Sequence, residues 1–124
     1  MPKKIIIIDD ESSILEIYSQ KFSTQANWQI LTAKNGKEGL ELIKQHQPNL
    51  ILLDIVMPKA DGFDVLQKIK KDETLKNIPV IMLTNLTDEE DKAEAFKRGA
   101  LDYLVKAEHT PSQALEAVKR KLKV

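Results

Sequence analysis

The 124 residues carry 19 Lys and Arg against 19 Asp and Glu, a formal net charge of zero, with 42% hydrophobic and 31% charged residues. That length suits one globular domain over residues 1–124 and the composition excludes disorder, while the lack of a basic excess argues against a nucleic-acid surface. With no cysteine, disulfides, thiolate metal sites and cysteine nucleophiles are excluded.

The chain opens on two lysines and the run Ile5-Ile6-Ile7-Ile8. The run is too short for the apolar region of a secretion signal and stops at Asp9-Asp10. No segment approaches the roughly 20 apolar residues of a membrane helix, so a cytoplasmic protein is expected. Unbroken apolar runs of four, at 5–8, 50–53 and 80–83, predict strands buried on both faces, as in a parallel sheet covered by helices. Pro79 before the third run, Pro48 near the second and charges after the first two argue against buried helices. Alternating patterns at 28–33 and 101–106 predict two weaker strands at the sheet edges.

Between the strands, apolar residues recur at helical spacing. The stretch 13–24 carries Ile14, Ile17, Tyr18 and Phe22; 37–46 carries Leu40 and Ile43; 63–70 carries Leu66 and Ile69. The stretch 88–97 carries Ala93 and Phe96, with Gly99 placed to end it in a left-handed turn. The last, 110–122, carries Leu115, Val118 and Leu122. It starts with Thr110 as N-cap, Pro111 in the first turn and Gln113 to complete a capping box. Its basic end, Lys119 to Lys123, reads as solvated cations that complement the helix dipole. Five strands alternating with five helices predict an α/β fold with one open, doubly wound parallel sheet.

Ligands of such sheets bind outside the carboxyl ends of the strands. There the sequence places Asp9-Asp10, Asp54, Thr84 and Lys106. Each has an ordinary explanation by itself: Asp9 or Asp10 as a helix cap, Asp54 as a loop carboxylate, Thr84 as a turn residue, Lys106 as a solvated charge. Together they are phosphoryl-transfer equipment. Crowded carboxylates must protonate or be offset by cations, and Mg²⁺ suits a site with few carboxylates and several waters. One carboxylate can act as nucleophile, while metal and lysine neutralise phosphoryl oxygens.

These residues stand in the stretches Ile7 to Glu11, Leu52 to Gly62, Leu83-Thr84 and Gly99 to Lys106. Through them, above all Asp54-x-x-Met57-Pro58-x-x-Asp61-Gly62, the chain resembles the receiver domains of bacterial response regulators over nearly its whole length. The resemblance implies a flavodoxin-like sheet of strand order 2-1-3-4-5. It implies that Asp54 accepts a phosphoryl group from a phosphohistidine on a sensor histidine kinase or a phosphotransfer protein. Asp9, Asp10, Asp54 and the Val56 carbonyl would hold Mg²⁺, Lys106 would pair with Asp54 and then with the phosphoryl group, and Thr84 would move to hydrogen-bond it. Tyr103 would follow inward and alter the face of the fourth helix, fifth strand and fifth helix for a downstream target. The chain would then be a signalling domain that catalyses only its own phosphorylation and slow dephosphorylation, a monomer or weak dimer without an output domain. Met57-Pro58 and Asp61-Gly62 would shape the loop.

Two positions depart from the family pattern. Asn85 stands where a small residue usually follows the switch hydroxyl. Ala107 replaces the proline after the lysine, so the bond there is either trans or a cis bond costing about 2.5–4 kcal/mol. Val56 and Leu86, both apolar, position no attacking water, which predicts a slowly hydrolysed acyl phosphate. Rival readings fit less well. A dehalogenase-type phosphatase needs Asp-x-Asp where Asp9 and Asp10 are adjacent, and a flavodoxin needs a Ser/Thr/Gly phosphate loop where Glu11 stands. A pseudo-receiver that only binds partners is the alternative that Asn85 and Ala107 keep open. His46 and His109 are expected on the surface, not as phosphocarriers.

Overall fold

The computed structural model describes residues 2–59 and 61–124; Ala60, inside the motif stretch, lies outside the described residues. Strands β1 (Lys3–Ile8), β2 (Trp28–Ala33), β3 (Leu50–Leu53), β4 (Val80–Thr84) and β5 (Asp102–Val105) alternate with helices α1 (Ser12–Phe22), α2 (Gly36–His46), α3 (Gly62–Lys71), α4 (Glu89–Lys97) and α5 (Pro111–Leu122). The strands form one sheet, all neighbours parallel, in the order β2-β1-β3-β4-β5. This is the doubly wound, flavodoxin-like order expected, with β2 and β5 at the edges.

The register explains the unbroken apolar runs. Ile5 and Ile7, Leu50 and Leu52, and Ile81 and Leu83 point to one face, where Tyr18 and Phe22 of α1 and Leu115 and Val118 of α5 cover them. Ile6 and Ile8, Ile51 and Leu53, and Val80 and Met82 point to the other, under Ile43 of α2, Val65, Leu66 and Ile69 of α3, and Ala95 of α4. A central strand with helices on both sides has no wet face, so alternation disappears. At the edge, polar residues interrupt the run on both faces: Trp28 and Ile30 pack on the first face, Leu31 and Ala33 on the second, and Gln29 and Thr32 are exposed.

Local chemistry sets the helix ends. Thr110 Oγ1 accepts from the Gln113 amide and the Gln113 side chain accepts from the Thr110 amide, a complete capping box. Gly99, at φ 107°, turns the chain from α4 toward β5.

Four expectations fail in detail. Ile17 is 49% exposed and Phe96 43%, and Ala93 is exposed as well. The buried residue of α4 is Ala95, because α4 lies at the sheet edge and meets the core through one small residue. Strand β5 stops at Val105, so Lys106 opens a one-turn 3-10 helix, Lys106–Glu108.

Candidate functional site

In this strand order the crossovers turn in opposite directions from β1, which lies between β2 and β3. A crevice therefore opens beyond the carboxyl ends of β1 and β3. Asp9 follows the last residue of β1, Asp54 follows β3, Thr84 ends β4 and Lys106 follows β5. Asp9, Asp54 and Thr84 are buried polar residues, 1%, 5% and 1% exposed.

Every buried polar atom there is used. Lys106 Nζ lies 2.5 Å from Asp9 Oδ2 and 3.1 Å from Asp54 Oδ2, with Glu11 Oε1 at 3.6 Å. The second oxygens accept from the backbone: Asp9 Oδ1 from the Glu11 amide at 2.9 Å, Asp54 Oδ1 from the Ile55 amide at 2.7 Å. Thr84 Oγ1 accepts a long bond, 3.4 Å, from the Leu86 amide. Above them a cavity of about 240 Å³ is lined by Asp10, Asp54, Val56, Thr84, Asn85 and Lys106, together with Glu11 and Leu86.

The electrostatics are lopsided. Four carboxylates, those of Asp9, Asp10, Glu11 and Asp54, face one ammonium. Burial pushes the Asp9 carboxyl above its ordinary value, and Asp54 adds to the rise; the Lys106 hydrogen bond and the Glu11 amide do not offset it. Burial by itself would lower Lys106, but its hydrogen bond to Asp9 and the charges of Asp54 and Asp9 outweigh it, and the ammonium is held above its usual range. Oxygens of Asp9, Asp10 and Asp54 all lie within 4.8 Å of one another. Hard oxygen donors with excess negative charge fit a small divalent cation.

The loop after β3 is shaped by close approach. The Gly62 amide donates to the Ile55 carbonyl at 2.7 Å. A β-carbon at Gly62 would come within 2.1 Å of the Asp54 carbonyl oxygen. Asp61 caps α3 by accepting from the Asp64 amide.

Most expected site residues converge here. Tyr103 stands apart from the cavity lining but is already inward: it is 5% exposed and its hydroxyl donates to the Leu86 carbonyl at 2.9 Å. The bond after Lys106 is trans, since no cis bond occurs among the described residues, and Ala107 sits in the 3-10 turn. Asn85 is exposed at the rim. His46 and His109 are half-buried outside this cavity, and His109 Nδ1 lies 3.1 Å from the Val105 carbonyl. Glu11 was not singled out from sequence; its place next to Asp9-Asp10 was the available signal.

The response regulator receiver domain family model matches residues 5–119. The chain belongs to that family. The receiver domain is 43% identical over 106 residues to the DNA-binding dual master transcriptional regulator RpaA of Synechocystis sp., covering 86% of this chain and 43% of the relative. It spans 39–43% of the length of curated relatives it matches. Among solved structures it is similar to a CheY-like receiver domain protein from Methanospirillum hungatei, with TM-score 0.91 and 30% identity over 99% of this chain and 95% of the other. It is also similar to the response regulator Rcp1 in its Mn²⁺-bound form, with TM-score 0.84 and 26% identity over 95% and 92%. Among the described residues no helix is long and apolar enough to cross a membrane.

Proposed function

We propose that Asp54 is the phosphoacceptor of this receiver domain, taking a phosphoryl group from a histidine kinase or phosphotransfer protein in a Mg²⁺-dependent step. The observation that carries the reading is the setting of Asp54. Its carboxylate is buried at the cavity floor, held by Lys106 and the Ile55 amide, and its cavity also holds Thr84. A carboxylate oxygen attacks phosphorus, and the bond to the donor imidazole breaks with its electron pair leaving on nitrogen. Lys106 stays on the developing phosphoryl oxygens, and Thr84 gives up its long contact to donate to one of them. Asp9, Asp10, Asp54 and the Val56 carbonyl would hold the metal, which supplies charge neutralisation when bound. The Mn²⁺-bound neighbour supports a divalent site in this fold.

Output follows from the loop after β4. Thr84 moving toward the phosphoryl group frees the Leu86 amide and lets the loop of Asn85 and Leu86 shift, while the Tyr103 hydroxyl bond to the Leu86 carbonyl ties the inward aromatic to that loop. The α4-β5-α5 face, with Phe96 exposed, then changes for a downstream protein. We place residues 1–124 in the cytoplasm as one receiver unit, monomeric or weakly dimeric, that does not itself bind nucleic acid.

The test is intact mass after incubation with Mg²⁺ and a small-molecule phosphodonor, for wild type and Asp54→Asn. A single metal-dependent adduct, absent in the variant, is expected. No adduct under conditions that label a known receiver would overturn the reading and favour the pseudo-receiver.

A further inference from the structure

The carboxyl edge of the sheet is acidic, but one flank of the molecule is the reverse. A groove of about 460 Å³ runs between α2 and α3, lined by Lys37, Leu40, Glu41, Lys44, Lys59 and Lys68. A second depression, about 440 Å³, shares Lys59 and Lys68 and adds Asp64, Gln67 and Lys71. The two form one trough in which five lysines face two carboxylates, in a chain of zero net charge.

Among the described residues these lysines make no ion pair; the pairs use Lys76, Arg98, Lys106, Lys119 and Lys121. Lys44 acts only through space on the exposed Asp72. Five unpaired ammonium groups on a convex face would be ordinary solvated charge. Here they come from three separate segments and line a concavity. Lys37 and Lys44 lie seven residues apart on α2 with Leu40 between them, so one helix stripe supplies two cations and an apolar floor. Lys68 and Lys71 lie three apart on α3. Lys59 belongs to the β3–α3 loop, at φ 75°, a left-handed conformation uncommon for a residue with a side chain, and it is shared by both lobes.

We infer that the α2–α3 trough is a docking site for an acidic segment of a partner protein, one carrying an apolar side chain among its carboxylates. The lysines match the carboxylates, and half-buried Leu40 offers the apolar contact. Glu41 and Asp64 decide against nucleic acid. They would face the unbroken charge of a phosphodiester backbone, but a peptide can meet them with amide hydrogens. Charge complementarity of this kind speeds encounter and selects partners. The inference does not depend on phosphorylation of Asp54.

The experiment uses the full chain, isotopically labelled, and a fluorescent eight-residue peptide of glutamates with one central leucine. Anisotropy should report binding that weakens as salt is raised. Amide shifts should concentrate in α2, at Lys59 and in α3. Lys44→Glu with Lys68→Glu, both exposed positions, should weaken binding at least about tenfold. Lys119→Glu with Lys121→Glu, on α5, should leave it within about twofold, as a rim charge elsewhere would. Circular dichroism checks that both variants fold. Equal binding by the Lys44/Lys68 variant, shifts centred elsewhere, or no binding at low salt would overturn the proposal. So would tighter binding at the trough of a short DNA duplex than of the peptide.

Discussion

Lys106 is shared by Asp9, Asp54 and Glu11, so the ammonium is already where phosphoryl oxygens would arrive. On the proposed phosphorylation of Asp54, what happens afterwards depends on two neighbours that would bring no polar group to the acyl phosphate. Val56 is 60% exposed at the cavity and Leu86 lines it. Neither can hold a water in line with phosphorus, so we expect a long-lived phosphorylated form. Leu86→Glu should shorten its lifetime about a hundredfold, the low end of general base effects, and Val56→Asn should shorten it less, since an amide can orient a water but not deprotonate it; an unchanged decay by intact mass in both would refute the idea. Tyr103 offers a second test. Burial, then the carboxylates Asp91, Asp54 and Asp88, push its phenol up to about 12 from the usual 10. The folded chain therefore keeps a proton that the unfolded chain loses. The associated stability is fully present below pH 10 and is lost as pH rises through about 12. Tyr103→Phe should lose less stability across that interval than wild type, measured by denaturant unfolding at each pH. Absorbance titration of the variant should lose one of two high-titrating phenols and keep that of Tyr18, which burial also pushes up.

At the scale of elements, helix ends were legible and helix faces only partly so. The Thr110-x-x-Gln113 box names its own partners, because capping is a contact between residues three apart. Thr110→Ala should cost about 1 kcal/mol by urea unfolding, a typical N-cap loss. Helix α4 is the opposite case. Its spacing pointed to Ala93 and Phe96, yet a polar clamp holds it. Arg98 at its C-cap donates to Glu94 at 2.8 Å and to Gln67 of α3 at 3.0 Å, and lies 5.3 Å over the Phe63 ring. Hydrophobic periodicity cannot register a contact made by a guanidinium on another helix. The β3–α3 loop lies between these cases. Its motif was readable, but the reason for Gly62 is the 2.1 Å from a would-be β-carbon to the Asp54 carbonyl. Backbone cannot yield as a side-chain tip can. Gly62→Ala should therefore cost about 1–3 kcal/mol, the range for overpacking, and slow labelling of Asp54. A urea midpoint equal to wild type would show that the loop relaxes freely.

Across the whole molecule, the proposed metal site at the acidic edge should link stability to the cation. Asp9, Asp10 and Asp54 come from two strands far apart in sequence, and folding forces their charges within 4.8 Å. A cation that binds only the folded chain should stabilise it by about 2.7 kcal/mol at a hundred times its Kd. At this size that corresponds to a rise in Tm of about 8–12 °C. Thermal unfolding with increasing Mg²⁺ should show the rise in wild type and a smaller one in Asp10→Asn. Equal curves with Mg²⁺ and with chelator would argue against the metal site.

The sequence by itself determined the class of the fold and which polar residues stand at its edge. Strands buried on both faces must be apolar throughout, turns and caps need particular residues, and carboxylates, a hydroxyl and a lysine at successive strand ends leave few functions open. Strand order came with the family resemblance, because no local pattern says which strands become neighbours. Only the tertiary structure decided that Ile17 and Phe96 stay in solvent, that Tyr103 sits inward on the Leu86 carbonyl, and that Lys106 bonds Asp9 and Asp54 at once. It also brought together the lysines of α2, α3 and the intervening loop. Each of these depends on surfaces and atoms from distant segments, which meet only once the sheet sets how the helices lie across it.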